Sequence, residues 1–145
     1  TYLELSKHPR IVGTKEANGD ISSVAKTIAL CGPDFSVYSG NDDQVTALMS
    51  LGGKGSISVL SNILPEVAHN IPAKFLAGDY EGGRILQLEY LDLCNNLFVD
   101  VNPIPVKEAM NMMGLDVGPC RLPLYEMTED AKAKLRASLA KHGLV

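Results

Sequence analysis

The chain has 145 residues and a mass of 15.6 kDa, 46% of it hydrophobic and 21% charged, which is the balance of an ordinary globular domain with a sizeable core. A formal net charge of −4 and a pI near 5.3 leave no basic footprint for nucleic acid or an anionic membrane. No apolar run approaches the roughly 20 residues that span a bilayer, and the N-terminus carries no secretory signal pattern.

In chain order, Thr1 to Leu5 reads as part of a helix, and Arg10 to Thr14 as a first strand. Ile21 to Leu30 is helical and is closed by Gly32-Pro33. Phe35 to Ser39 is a second strand, Asp42 to Leu51 a helix closed by Gly52-Gly53, and Ser56 to Leu60 a third strand. Each strand is short, mostly uncharged and without a clean polar face, as expected of strands covered on both sides. Strands alternating with helices predict a parallel α/β sheet with right-handed crossovers.

Beyond Leu60 the pattern is helical. Pro65 suits a first helical turn, whereas Pro72 predicts a kink or break midway. Asp79 to Phe98 reads as one long amphipathic helix carrying Leu86, Leu88, Leu91, Leu93 and Leu97, despite Gly82 and Gly83. Asn102 is the expected cap, with Pro103 at the first position, of a helix reaching Met113. Thr128 is the expected cap of a last helix, whose acidic start (Glu129, Asp130) and basic end (Lys141, His142) suit the helix dipole. Met110, Met112 and Met113 read as flexible core filling, and Glu129, Asp130, Lys132, Lys134 and Arg136 as a solvated face.

Chemistry concentrates at few positions. Cys31, Cys94 and Cys120 are odd in number and far apart, which argues against a disulfide framework and for a reducing, cytoplasmic compartment. His8, His69 and His142 are as scattered, and no pair has metal-ligand spacing, so no metal site is expected. Lys15 stands out, because it ends the run Ile11-Val12-Gly13-Thr14 and opens a loop. A barrel enzyme places a reacting amine at such a strand exit. Burial there disfavours an ammonium and frees the amine to attack a carbonyl. A strand-end lysine also serves solubility, and both readings stand on the residue alone.

Five segments in register carry a resemblance. Ile11-Val12-Gly13-Thr14-Lys15-Glu16-Ala17-Asn18-Gly19-Asp20 resembles the Schiff-base strand of dihydrodipicolinate synthase, a class I aldolase-type family. Ser39-Gly40-Asn41-Asp42 follows, then Gly55-Ser56-Ile57-Ser58-Val59 with Ser61-Asn62, Asn102-Pro103-Ile104-Pro105-Val106-Lys107, and Arg121-Leu122-Pro123-Leu124, in that family's order and spacing. The resemblance covers the whole chain but only the family's C-terminal half. It implies the last three βα units of a (β/α)8 barrel over residues 1–77, followed by a C-terminal helical extension over residues 78–145.

The resemblance also implies a function. Lys15 would form an imine with pyruvate, whose enamine would add to L-aspartate 4-semialdehyde on the route to lysine and diaminopimelate, without metal or organic cofactor. Ile57 would offer a backbone carbonyl near bound pyruvate, although an isoleucine in a strand is ordinarily core. Gly40 would let backbone or substrate approach closely, and would equally serve a plain strand-to-helix turn. Asn41 departs from the family's frequent Asp, and Thr14 and Ser56 replace the more usual aliphatics. The prolines and Arg121 are expected to be structural, with Arg121 anchoring the C-terminal segment. The family's pyruvate-binding Thr pair, catalytic Tyr and substrate-binding Arg lie upstream and match no residue here. The expected partners are therefore the missing N-terminal half-barrel and further copies in a dimer or tetramer. A sister aldolase such as N-acetylneuraminate lyase, or a non-catalytic half-barrel serving assembly, are the alternatives.

Overall fold

The computed structural model describes residues 1–145 in full, as eight α-helices, three strands and two short 3₁₀ turns. They divide into two compact units that interleave in sequence. One comprises Thr1–Ser58 and Glu66–Leu88, the other Val59–Pro65 and Glu89–Val145.

The first unit holds α1 (Tyr2–Leu5), β1 (Gly13–Glu16), α2 (Ile21–Cys31), β2 (Ser36–Ser39), α3 (Val45–Ser50) and β3 (Gly55–Ser56). It also takes in most of α4 (Pro65–Leu76) and α5 (Tyr80–Glu89). The strands form one parallel sheet in the order β1-β2-β3, with both outer edges unpaired in the chain. This is the expected α/β alternation. Val37 on β2 is buried with Val24, Phe35 and Leu48, so one sheet face packs on α2 and α3. Val45, Met49 and Ile71 make a second cluster, flanked by Phe75 and Leu86.

Strand limits differ from the sequence reading in physically explicable ways. β1 begins at Gly13, not Arg10, because Arg10 and Ile11 are still tied into a turn on His8. Pairing with β2 starts only where the Ser36 amide donates to the Val12 carbonyl. Lys15 thus lies inside the strand. β3 is cut to Gly55–Ser56, and Leu60–Asn62 coils into a 3₁₀ turn in which the Asn62 amide group donates to the Val59 carbonyl. The helix expected over 42–51 starts instead as a 3₁₀ turn at Asp42–Gln44, and α3 proper is Val45–Ser50.

Helix α4 runs unbroken through Pro72. Proline removes one backbone donor, but Ala68 and Ile71, in the turn before it, are buried and anchor the helix. The two glycines of α5 have distinct reasons. The Gly82 amide donates to Asp79 Oδ1, and Gly83 brings α5 so close to α4 that a Cβ would lie 3.2 Å from the Ile71 carbonyl oxygen.

The second unit is helical: α6 (Leu91–Asn96), α7 (Ile104–Met112) and α8 (Glu129–Lys141), with α8 packed on both others. Its core holds Leu93, Leu97, Ala109, Leu135 and Leu139, all essentially inaccessible. The single helix expected over 79–98 is broken at Tyr90, whose ring stacks on His142 with centroids 4.6 Å apart. Pro103, not Asn102, occupies the cap position of α7, and Pro105 falls in its first turn. Thr128 caps α8 as expected, its hydroxyl accepting from the Ala131 amide. Met110, Met112 and Met113 are only half-buried, and the methionines that fill core are Met49 and Met127. Arg121 is exposed and is held through its carbonyl, which accepts from Leu124. The side chain that ties this loop down is that of Lys107, whose Nζ donates to the Pro119 carbonyl at 2.8 Å.

Candidate active site

Parallel pairing aligns Lys15 with Tyr38 and Tyr38 with Gly55, and one step on aligns Glu16 with Ser39 and Ser39 with Ser56. Successive side chains leave a strand on opposite faces. With Val37 on the helix-covered face, Lys15, Tyr38 and Gly55 share the other. Gly40 and Ile57 follow on that same face, just past the ends of β2 and β3. The sheet therefore gathers three widely separated sequence candidates, Lys15, Gly40 and Ile57, at one end of one face.

The helix-side residues at that end form a polar clasp. Glu16 is buried, and its Oε1 accepts from the amides of Ala17 (3.0 Å) and Asn18 (3.2 Å), while the Tyr2 hydroxyl donates to Oε2. Asn18 Oδ1 accepts from the Asp20 amide, and Asp20 Oδ1 accepts from those of Ser22 and Ser23, capping α2. The Gln44 amide group donates to the Gly19 carbonyl. The loop leaving Lys15 is thus fastened at almost every residue. On β2, the Ser39 hydroxyl donates to the Asn41 carbonyl (2.7 Å) and accepts from the Asn41 amide (3.2 Å). The Gln87 amide group reaches from α5 to the Asp42 carbonyl at 2.7 Å.

Lys15 is itself exposed on the open face, so the burial anticipated for it is not supplied by these residues. Ile57 is not a core residue: it is 50% exposed, and its amide donates to the Ser39 carbonyl at 2.8 Å, which fixes the peptide at the end of β3. Gly40 donates its amide to the Glu16 carbonyl at 2.7 Å. A Cβ there would meet Ala17 Cβ at 2.5 Å and Lys15 Cε at 2.7 Å. Sequence reasoning misses Glu16 and Ala17 because it ends the first strand at Thr14, and misses Tyr38, inside the second strand, because its place beside Lys15 depends on inter-strand register. Continuing its alternation two residues further places Glu16 on the helix side beside Lys15.

No cluster of three or more His, Cys, Asp or Glu side chains is placed to hold a metal ion, and no disulfide joins the three cysteines. The one strongly perturbed acid lies in the second unit. Partial burial acts to raise the carboxyl of Asp92. Hydrogen bonds from Lys141 Nζ (3.0 Å), His142 Nε2 (3.1 Å) and Ser138 Oγ (2.9 Å) outweigh it and hold the group down at about 2. This cluster binds α8 to α6.

Comparison with known proteins gives a consistent result. Residues 1–142 match the family model described as the dihydrodipicolinate synthetase family. The 4-hydroxy-tetrahydrodipicolinate synthase of Thermoanaerobacter sp. (strain X514) is 53% identical over 146 residues, covering all of this chain and 49% of that protein. The enzyme of the same description from Acetivibrio thermocellus is 50% identical, again over all of this chain and 49% of the relative. Among solved structures, the dihydrodipicolinate synthase of Thermotoga maritima superposes with a TM-score of 0.94 at 38% identity, covering 99% of this chain and 50% of that one. That of Acinetobacter baumannii, determined in complex with pyruvate, gives a TM-score of 0.93 at 37% identity and the same coverage. The chain spans about half the length of the relatives it matches, and its three strands are a part of their barrel.

Proposed function

The chain belongs to the dihydrodipicolinate synthetase family, and on that premise we propose that it contributes the imine-forming lysine of a 4-hydroxy-tetrahydrodipicolinate synthase. The observation that carries the reading is the convergence of Lys15, Gly40 and Ile57 at one end of one sheet face, on a strand whose exit loop is fastened by Glu16. A reacting amine must be held in place while its substrate turns over, and backbone fastening of this kind supplies that positioning.

In the proposed reaction the neutral Lys15 amine attacks the ketone carbon of pyruvate. Loss of water leaves a protonated imine, which draws electrons from the neighbouring methyl group. That methyl loses a proton to give an enamine, whose carbon forms a bond to the aldehyde of L-aspartate 4-semialdehyde. The amino group of that substrate then adds to the imine carbon, and the lysine leaves as a free amine. One water is released overall. Ile57 contributes its carbonyl beside bound pyruvate, and no metal or organic cofactor takes part. Lys15 is open on its face of the sheet, so the burial and the proton-shuttling groups belong to the upstream half of the barrel, the partner that completes the site. The assembled enzyme works in the cytoplasm as a dimer or tetramer.

The test is intact-mass spectrometry of the full-length protein after incubation with pyruvate and borohydride. A single reduced pyruvyl adduct on Lys15, absent from Lys15→Ala, is the expected result. A protein that melts cooperatively and forms no adduct sinks the reading, and would leave the chain an assembly module.

A further inference from the structure

We propose that Gly40 is a positioning residue for Lys15: the space left by its missing side chain is the channel along which the lysine stem runs. The inference rests on the imine chemistry proposed for Lys15 and adds the residue that aims it.

Gly40 does not need to be glycine for its backbone. Eight other glycines, among them Gly19 at φ +75° and Gly32 at φ +80°, adopt positive φ, and Gly40 does not. What it needs is room. A methyl group on Gly40 would lie 2.7 Å from Lys15 Cε and 3.1 Å from Lys15 Cγ, and 2.5 Å from Ala17 Cβ. Carbon atoms in contact settle about 3.5–4.0 Å apart, so the overlaps approach an ångström or more.

Only one of the three parties can yield. The Gly40 amide is bound to the Glu16 carbonyl, and the Ser39 hydroxyl brackets the residue by bonding both backbone groups of Asn41. Ala17 has no side-chain torsion to relax, and its amide is held by Glu16 Oε1. The Lys15 stem has four torsions and an open face beyond it. A side chain at position 40 would therefore swing the stem away and carry the amine with it, while the closer contact with Ala17 Cβ, which no torsion relieves, would fall on the backbone. A misplacement of about an ångström costs roughly a hundredfold where the reacting atoms must meet in one geometry.

Two measurements on the full-length protein test this, one of them independent of pyruvate. The first is a double-mutant cycle in stability with Gly40→Ala, Lys15→Ala and the pair. The loss of Tm on Gly40→Ala should be smaller when Lys15 is already truncated, and an equal loss in both backgrounds overturns the proposal. The second is the rate of pyruvate adduct formation under borohydride trapping. Gly40→Ala should lower the maximal rate by about tenfold or more with the half-saturating pyruvate concentration nearly unchanged, and a wild-type rate overturns the proposal. If Gly40→Ala does not fold, the variant Ala17→Gly/Gly40→Ala removes one of the two obstructions and keeps the other. It should remain slow. Recovery of the wild-type rate would make Ala17, not Lys15, the group that Gly40 accommodates, and the proposal fails. A wild-type protein that shows the stability coupling but no adduct would refute the proposed function and leave the positioning role standing.

Discussion

At the scale of single residues, the site depends on what stands beside the lysine as much as on the lysine. Glu16 is buried next to an exposed Lys15, and its carboxylate holds the next two amides of the chain. Replacing it with Gln preserves the size but weakens charge-assisted hydrogen bonds, which are roughly twice as strong as neutral ones. Glu16→Gln should therefore lower the pyruvate adduct rate while leaving a cooperative melt, and an unchanged rate would show that the loop holds without the charge. Lys15→Arg keeps a cation on the open face but removes the nucleophile. It should abolish the adduct while the protein still melts cooperatively, as read by intact mass and thermal melting.

At the scale of elements, the Asp92 cluster is the clearest target. Asp92 sits on α6, and its three donors come from α8 and the residue after it. The carboxyl is near 2 in the folded chain against an ordinary 3.8. A depressed acid stabilises fully above its unfolded value and loses that contribution as pH falls through the folded one. The stability difference between the parent and Asp92→Asn should hold steady down to about pH 4 and shrink between there and about pH 2, measured by denaturant melts across that range. A constant difference across that range would show that the ionised carboxylate is not what binds the helices. Thr128→Ala should cost about 1 kcal/mol through loss of the α8 cap. That cap, the parallel strand order and the punctuation of α2 were legible from Thr128, the strand–helix alternation and Gly32-Pro33. The break at Tyr90 was not, since leucine spacing continues through it and the ring there stacks on a histidine fifty-two residues later. The true start of β1 escaped for a related reason: the turn on His8 is a local hydrogen-bonding choice, and the apolar pattern of Ile11 and Val12 does not register it. Lys15, Gly40 and Ile57 were readable as motif positions, whereas their common face depends on inter-strand register.

At the scale of the whole molecule, the sheet leaves both of its edge strands, β1 and β3, without partners in the chain. Unpaired parallel edges seek pairing with other chains, and parallel strands need cover on both faces. The isolated 145-residue chain should associate or melt without cooperativity in size-exclusion and circular-dichroism experiments, and should become monodisperse when co-expressed with the upstream half of a family barrel. A compact monomer with a sharp melt would show that three strands and their helices suffice. Core truncation should act within the second unit: Leu93→Ala, at a fully inaccessible position, is expected to cost about 2–5 kcal/mol in chemical denaturation.

The interleaving of the two units has a consequence for synthesis. The ribosome releases Val59–Pro65 before it releases the Glu66–Leu88 segment that the first unit still awaits. Those seven residues belong to a body whose remaining residues, Glu89–Val145, follow only after that segment. At about 5–20 residues per second, the nascent chain spends some seconds with its three strands synthesised but α4 and α5 not yet available. The second unit cannot close until Glu89–Val145 has emerged. A stall or a rare-codon pause placed just before residue 66 would prolong that interval, whereas one placed after residue 88 would give the first unit time to finish alone.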